Sequence, residues 1–292
     1  MSTFVQQLIN GAALGCVYGL IALGYSFIYN AIGLVNLAQG TFVMVGAFVY
    51  GLTFTNAMKL PFIASFLLLA VAMAVFGIIC EMIFYRPLKD AHVRTILVGL
   101  VALEMLVGNL ALIIWGPYPR GTTGPFGHKI LALGSVSITY QNIFIIVVTM
   151  VLLLIQAFFF KKTTLGKVMR AVAQDRDTAS LMGINSDFAI SLTFAYSSIL
   201  GGIAGMMVAP LFAVETGLAG LGFKGFGACV VGAFSHIMGA FAGGLLLGVS
   251  EVLGASYVSS VYKDSIVYLL IIAFLLLRPQ GLFGKKKEHG GL

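Results

Sequence analysis

The stretch VQQLINGAALGCVYGLIALGYSFIY, residues 5–29, decides the fold class. It is 25 residues without a charge, a little more than the roughly 20 apolar residues that cross a bilayer as one helix. No Lys, Arg, Asp or Glu appears before Lys59. The run therefore lacks the basic flank of a cleaved secretory signal and reads as a permanent span. Working outward, comparable runs recur at 36–55, 62–84, 95–116, 140–160, 188–210 and 264–278. A Gly-rich stretch at 225–255 is too long for one span, and it reads as two short or broken helices meeting near Ser235–Met238.

Composition supports the same class. Of 292 residues 60% are hydrophobic and 9% charged, whereas a soluble domain carries about 25% charged residues. The expected architecture is all-α, a single polytopic bundle over residues 1–292 with about eight to nine crossings. Glycine is abundant, with 36 residues, and pairs such as Gly11/Gly15, Gly201/Gly205 and Gly244/Gly248 lie four apart. Small residues at that spacing let helix backbones approach closely. The net charge of +7 does not point to nucleic acid, because the basic residues cluster at the ends of apolar runs.

Their distribution gives an orientation. One set of loops holds Arg86, Lys89, Arg94, Lys161, Lys162, Lys167, Arg170, Arg176, Arg278 and Lys285 to Lys287, which is 12 of the 17 basic residues. The positive-inside rule assigns that set to the cytoplasm, and an odd number of crossings, nine, then leaves the N-terminus outside. Lys59, Arg120, Lys129, Lys224 and Lys263 fall in the outer loops.

No chemistry of bond making is visible. Thr164-Leu165-Gly166-Lys167 lacks the first glycine and the final hydroxyl of a P-loop, and Cys16, Cys80 and Cys229 sit inside apolar runs without metal-ligand spacing. No cofactor or catalytic residue is expected, and any ATP hydrolysis falls to a separate chain. The most informative polar segment is 161–187. Thr164 is placed to cap a first helix with an apolar stripe of Leu165, Val168, Met169 and Val172, and Asp175 or Asp177 to cap a second helix that Gly183 ends. Such a pair suits docking into a partner's groove or lying on the membrane surface.

Polar residues inside the spans are candidates for a translocation pathway: Asn10, Tyr25, Asn30, Asn36 and Gln39 in the first two, Glu104 in mid-span, and His236 at the expected break. The alternative for each is interhelical hydrogen bonding, a local backbone partner for His236, or a protonated acid for Glu104. Glu251 and the Lys263–Asp264 pair read as outer-surface residues, the pair capping the last helix.

Six segments in order resemble the LivH-type permeases of branched-chain amino acid ATP-binding-cassette importers. They are 8–48 (LINGAALGCVYGLIALGYSFIYNAIGLVNLAQGTFVMVGAF), YRPLKDA at 85–91, NLALIIWG at 109–116, LGKVMRAVAQDRDTASLMGI at 165–184, GAFAGGLLLGVSEVL at 239–253 and KDSIVYLLIIAFLLLRPQGLFG at 263–284. The resemblance implies an inner-membrane permease in bacteria with four kinds of neighbour: a second permease of the LivM type, cytoplasmic ATP-binding subunits, a periplasmic substrate-binding protein and lipid. It implies that Leu165, Gly166, Val168, Met169, Arg170, Ala171, Asp175, Ala179, Leu181 and Gly183 form the ATPase-coupling segment. Two departures from the family pattern, 232–240 and Glu104, bear on the substrate. A stand-alone secondary transporter or channel is the rival reading, supported by Glu104 and the broken 225–255 stretch.

Overall fold

The computed structural model describes residues 2–127, 129–133, 136–278 and 280–284. Eleven α-helices are present among them: α1 Ser2–Ile32, α2 Gln39–Ala47, α3 Phe62–Cys80, α4 Val93–Trp115, α5 Tyr140–Lys162, α6 Thr164–Gln174, α7 Arg176–Leu181, α8 Ser186–Val208, α9 Leu221–Gly232, α10 Ile237–Tyr257 and α11 Lys263–Leu277. Wider π-type turns extend α2 to Ala57 and α3 to Tyr85, and one 3-10 turn, Thr216–Gly220, leads into α9. The loop before α5 carries a feature that the all-helical reading omits, an antiparallel hairpin of β1 Ile130–Leu133 and β2 Val136–Thr139.

Seven of these helical segments are long and apolar enough to cross a membrane. The chain is a polytopic helical membrane protein. The stretch expected to break does so: α9 stops at Gly232 and α10 starts at Ile237. Ala233 there adopts φ +98°, a region that non-glycine residues rarely occupy. Other parts of the protein satisfy much of the broken backbone. Ser26 Oγ donates to the Phe234 carbonyl at 2.7 Å, and the amides of Leu282 and Phe283 donate to the carbonyls of Val231 and Gly232. His236 Nδ1 accepts the Gly239 amide at 3.0 Å and so caps α10.

At the centre lies α1, packed against α10, α8, α9 and α5. Its seam with α10 is glycine on both sides: a Cβ added at Gly15 would sit 2.7 Å from the Leu245 Cα, and Gly244 and Gly248 meet the backbone at Gly19 and Gly15. This is the close small-residue approach expected from the spacing of four. A second such seam joins α2 to α8, where Gly46 meets Gly202 and Gly205 meets Val43. Helices α3, α4 and α5 surround this centre with their large apolar side chains facing outward.

Candidate functional site

Two features dominate the end of the bundle that carries most of the basic residues: the α6–α7 pair and the cavity beneath it. The cap of α6 is Thr163, one residue before the expected Thr164; its Oγ1 accepts the Gly166 amide at 3.0 Å. Gly166 lies against the backbone of Phe159 and Phe160, which lets α6 fold tightly back on α5. Met169 and Val172 are buried, Val168 is partly buried, and Leu165 is 41% exposed, so the apolar stripe faces the bundle only in part. Asp175 Oδ1 caps α7 by accepting the Thr178 amide at 3.0 Å. Gly183, at φ +81°, stops α7, and the Ile184 amide returns to the Ala179 carbonyl at 3.1 Å. This is the left-handed glycine stop that the sequence pattern indicates.

The tip of that turn is apolar and uncovered: Leu181 is 88% and Met182 79% exposed. Both lie outside the candidate membrane spans. Arg170 is exposed on α6, with no hydrogen bond or ion pair among the described residues. Ala171 is partly buried and Ala179 buried.

A charged network joins α7 to the bundle. Asp187, in the first turn of α8, receives Arg176 of α7 at 3.0 Å and Lys89 from the α3–α4 connection at 2.8 Å. One turn deeper, Ser191 donates to Glu81 at 2.8 Å, and Arg86 grips both oxygens of Glu81 at 3.1 and 3.2 Å. Glu81 is almost fully buried, so this two-pronged pairing is what makes its charge tolerable there. A displacement of α7 therefore acts on α8, which itself packs against α1, α2 and α3.

Under α6 lies a cavity of about 270 Å³. Its walls come from the end of α1 (Asn30), the end of α5 (Phe160), α6 (Met169, Arg170), α8 (Thr193) and the α9–α10 break (Ser235). Asn30 Nδ2 donates to the Ser26 carbonyl at 2.7 Å. The coupling and pathway residues expected separately thus meet here through Asn30, Met169 and Arg170, and His236 lies between two lining residues with its ring stacked on Phe283.

The other pathway candidates are dispersed. Gln39 and Ser197 form a buried pair at 2.8 Å, and the Ser197 hydroxyl also reaches the Gly24 carbonyl. Tyr25 is buried edge-on to Phe226. Asn36 uses its oxygen to accept the Ala38 amide while its Nδ2 has no protein partner among the described residues. Asn10 bonds Asn142 of α5 at 2.8 Å, near the opposite end of α1. Glu104 is partly buried on α4, without a hydrogen bond or ion pair among the described residues.

One cluster has no local sequence signal. Lys224 is buried, not in an outer loop as its place between spans suggests, and its Nζ bridges Glu251 at 2.6 Å and Asp264 at 2.7 Å. Tyr18 completes the group by donating to the other Glu251 oxygen at 2.7 Å. Four helices, α1, α9, α10 and α11, are tied at this point, and Asp264 serves Lys224 instead of capping α11. Its members are 27 and 40 residues apart from Lys224, too far for any periodicity to relate them.

Residues 7–275 match the protein family described as "Branched-chain amino acid transport system / permease component". Among curated proteins, the high-affinity branched-chain amino acid transport system permease protein LivH of Salmonella typhimurium is 32% identical over 97% of this chain and 96% of its own length. The corresponding BraD protein of Pseudomonas aeruginosa shows the same identity and coverage. A probable LivH protein of Methanocaldococcus jannaschii is 29% identical over 91% of this chain and 88% of its own. No solved structure matches.

Proposed function

The chain belongs to the branched-chain amino acid transport-system permease family, and from that premise we propose that it is the translocating subunit of an ATP-driven importer of branched-chain or related small amino acids. It supplies the membrane passage and no covalent chemistry; hydrolysis belongs to separate ATP-binding subunits on the cytoplasmic side. The importer sits in the cytoplasmic membrane with its basic end inside. A substrate-binding protein delivers the amino acid from outside, and a second permease, of the LivM type, completes the passage.

The observation that carries this reading is the α6–α7 turn. Leu181 and Met182 form an exposed apolar knob beside the Gly183 stop, at the end where an ATPase has to dock. An uncovered apolar pair on a well-capped turn outside the membrane is what a partner's groove recognises. Closure of the ATPases pushes this knob, Arg176 and Asp187 pass the push to α8, and α8 moves the glycine seams of the central bundle. Of the pathway candidates, Asn30 and the break at His236, which meet at the cavity under α6, border the passage in this reading.

The test is co-purification from native membranes in mild detergent, with Leu181→Asp/Met182→Asp beside the unaltered chain. ATP-binding subunits and a second permease come down with the unaltered chain, and the double variant loses the ATPases while remaining monodisperse. Unaltered chain that moves solute down an ion gradient without any ATPase partner would overturn the proposal.

A further inference from the structure

We infer that the cavity beneath α6 is a binding site for one small aliphatic amino acid reached from the α6 side, and that its occupancy holds α6 down and slows transport. The inference rests on the function proposed above for the sidedness and for the part played by α6, and it adds a regulatory site to that function.

The walls have the make-up of a ligand site: mostly apolar, with a few polar groups converging. Phe27, Phe160 and Met169 form the apolar side, and Phe27 and Phe160 stack face to face at 4.5 Å. This surface suits a branched hydrocarbon side chain. At the rim Arg170 presents a guanidinium without an ion-pair or hydrogen-bond partner among the described residues, so it is free to take a carboxylate with two parallel hydrogen bonds. The Asn30 amide nitrogen is already committed to the Ser26 carbonyl, which leaves its oxygen as an acceptor for an ammonium group. A volume of about 270 Å³ is small for a drug-sized ligand and suits one amino acid.

The consequence follows from where the walls come from. Arg170 and Met169 belong to α6, Asn30 to α1, and Ser235 to the α9–α10 break. A molecule touching all three favours the arrangement in which they surround it, and it loses those contacts when α6 is driven away. Differential affinity of this kind shifts a two-state equilibrium toward the arrangement with the cavity formed. As the product accumulates inside, it therefore restrains its own import.

The experiment uses the intact importer with its ATPases in proteoliposomes, and leucine as the probe on the α6 side. ATP-driven uptake of labelled leucine is expected to fall saturably, by about fivefold or more, while hydrogen exchange of residues 164–174 slows. Ala31, beside Asn30 on the α1 wall, also lines the cavity, and Ala31→Leu, which fills it from there, should retain uptake and lose the inhibition. Arg170→Gln, with inhibition normalised to its own uninhibited rate, should raise the half-inhibiting concentration about tenfold over the unaltered chain. Inhibition that survives both variants, or uptake indifferent to internal leucine, overturns the inference. If no ATPase associates, the importer reading falls by itself. Leucine-dependent exchange protection of 164–174 in the isolated chain, present or absent in Arg170→Gln, then still decides whether the cavity binds.

Discussion

Helices α1 and α5 are both long enough to cross a bilayer, and they are built in opposite ways. The α1 span is 94% buried within the protein and the α5 span 28%, although α5 is the more apolar of the two. In a water-soluble protein that order would be reversed. In lipid no hydrophobic force drives one apolar helix onto another, so what gathers helices is close packing of small residues and hydrogen bonding. Helix α1 carries Gly11, Gly15, Gly19 and Gly24, whereas α5 contains no glycine. The buried face of α5 includes Asn142, Thr149 and Gln156, seven residues apart, while Leu154, Ile155 and Phe158 face outward. Its amphipathicity is inverted, polar inward and apolar toward lipid.

That contrast can be broken most severely at the α1–α10 seam. Gly15→Leu places a side chain against the Leu245 backbone, where neither neighbour can yield, and should destabilise the bundle by more than about 4 kcal/mol. Loss of a monodisperse peak and of the thermal transition would be the readout; a folded, normally stable variant would show that the seam is not tightly packed. Next is Lys224→Met, which strands the Glu251 charge in the interior at a cost of about 3–5 kcal/mol. Adding Glu251→Gln should recover most of the loss, and a double variant no better than the single one would assign the damage to packing instead.

Smaller effects sharpen the comparison. Gln156 is buried with neither amide atom partnered among the described residues, so Gln156→Leu should be neutral or stabilise by about 1 kcal/mol in a detergent-denaturation series. A large loss would mean that the amide holds an ordered water. Leu154→Ala on the lipid face of α5, where the side chain is 72% exposed, should change stability by less than about 0.5 kcal/mol. An effect as large as that of Gly15→Leu would place a partner helix on that face.

Asp187 adds a functional contrast between the two charged clusters. Its carboxylate is about a third exposed, and screened pairs of this kind contribute only about 0–1 kcal/mol. Asp187→Asn should therefore leave the fold intact while lowering solute moved per ATP hydrolysed, with ATPase binding retained. Unchanged coupling would remove the Arg176–Asp187 pair from the path of the push.

Much of this was legible beforehand, and the boundary is instructive. The Gly183 stop and the Asp175 cap depend on residues within a few positions of one another, and each lies where local rules put it; the break between α9 and α10 showed in the length of its Gly-rich stretch, though its distant partners Ser26, Leu282 and Phe283 did not. The Gly11/Gly15 and Gly244/Gly248 pairs announced close packing, though not that they would face each other. By contrast Lys224 looked like a loop residue, and the Asp264 beside it in space looked like a cap. The cavity beneath α6 was invisible because its walls come from five separate stretches of chain.

The sequence by itself determined that this protein lives in a membrane, that it is a bundle of helices, and that one polar, capped segment projects from its basic end. Those properties follow from the transfer of each residue into lipid and from hydrogen bonds a few residues apart, which need no knowledge of neighbours. Only the tertiary structure decided which apolar helices stay outside, which charges share a buried site, and which residues enclose a cavity. Lipid is as apolar as leucine, so hydropathy cannot tell a side chain facing lipid from one facing another helix; only the meeting of surfaces across the bundle does.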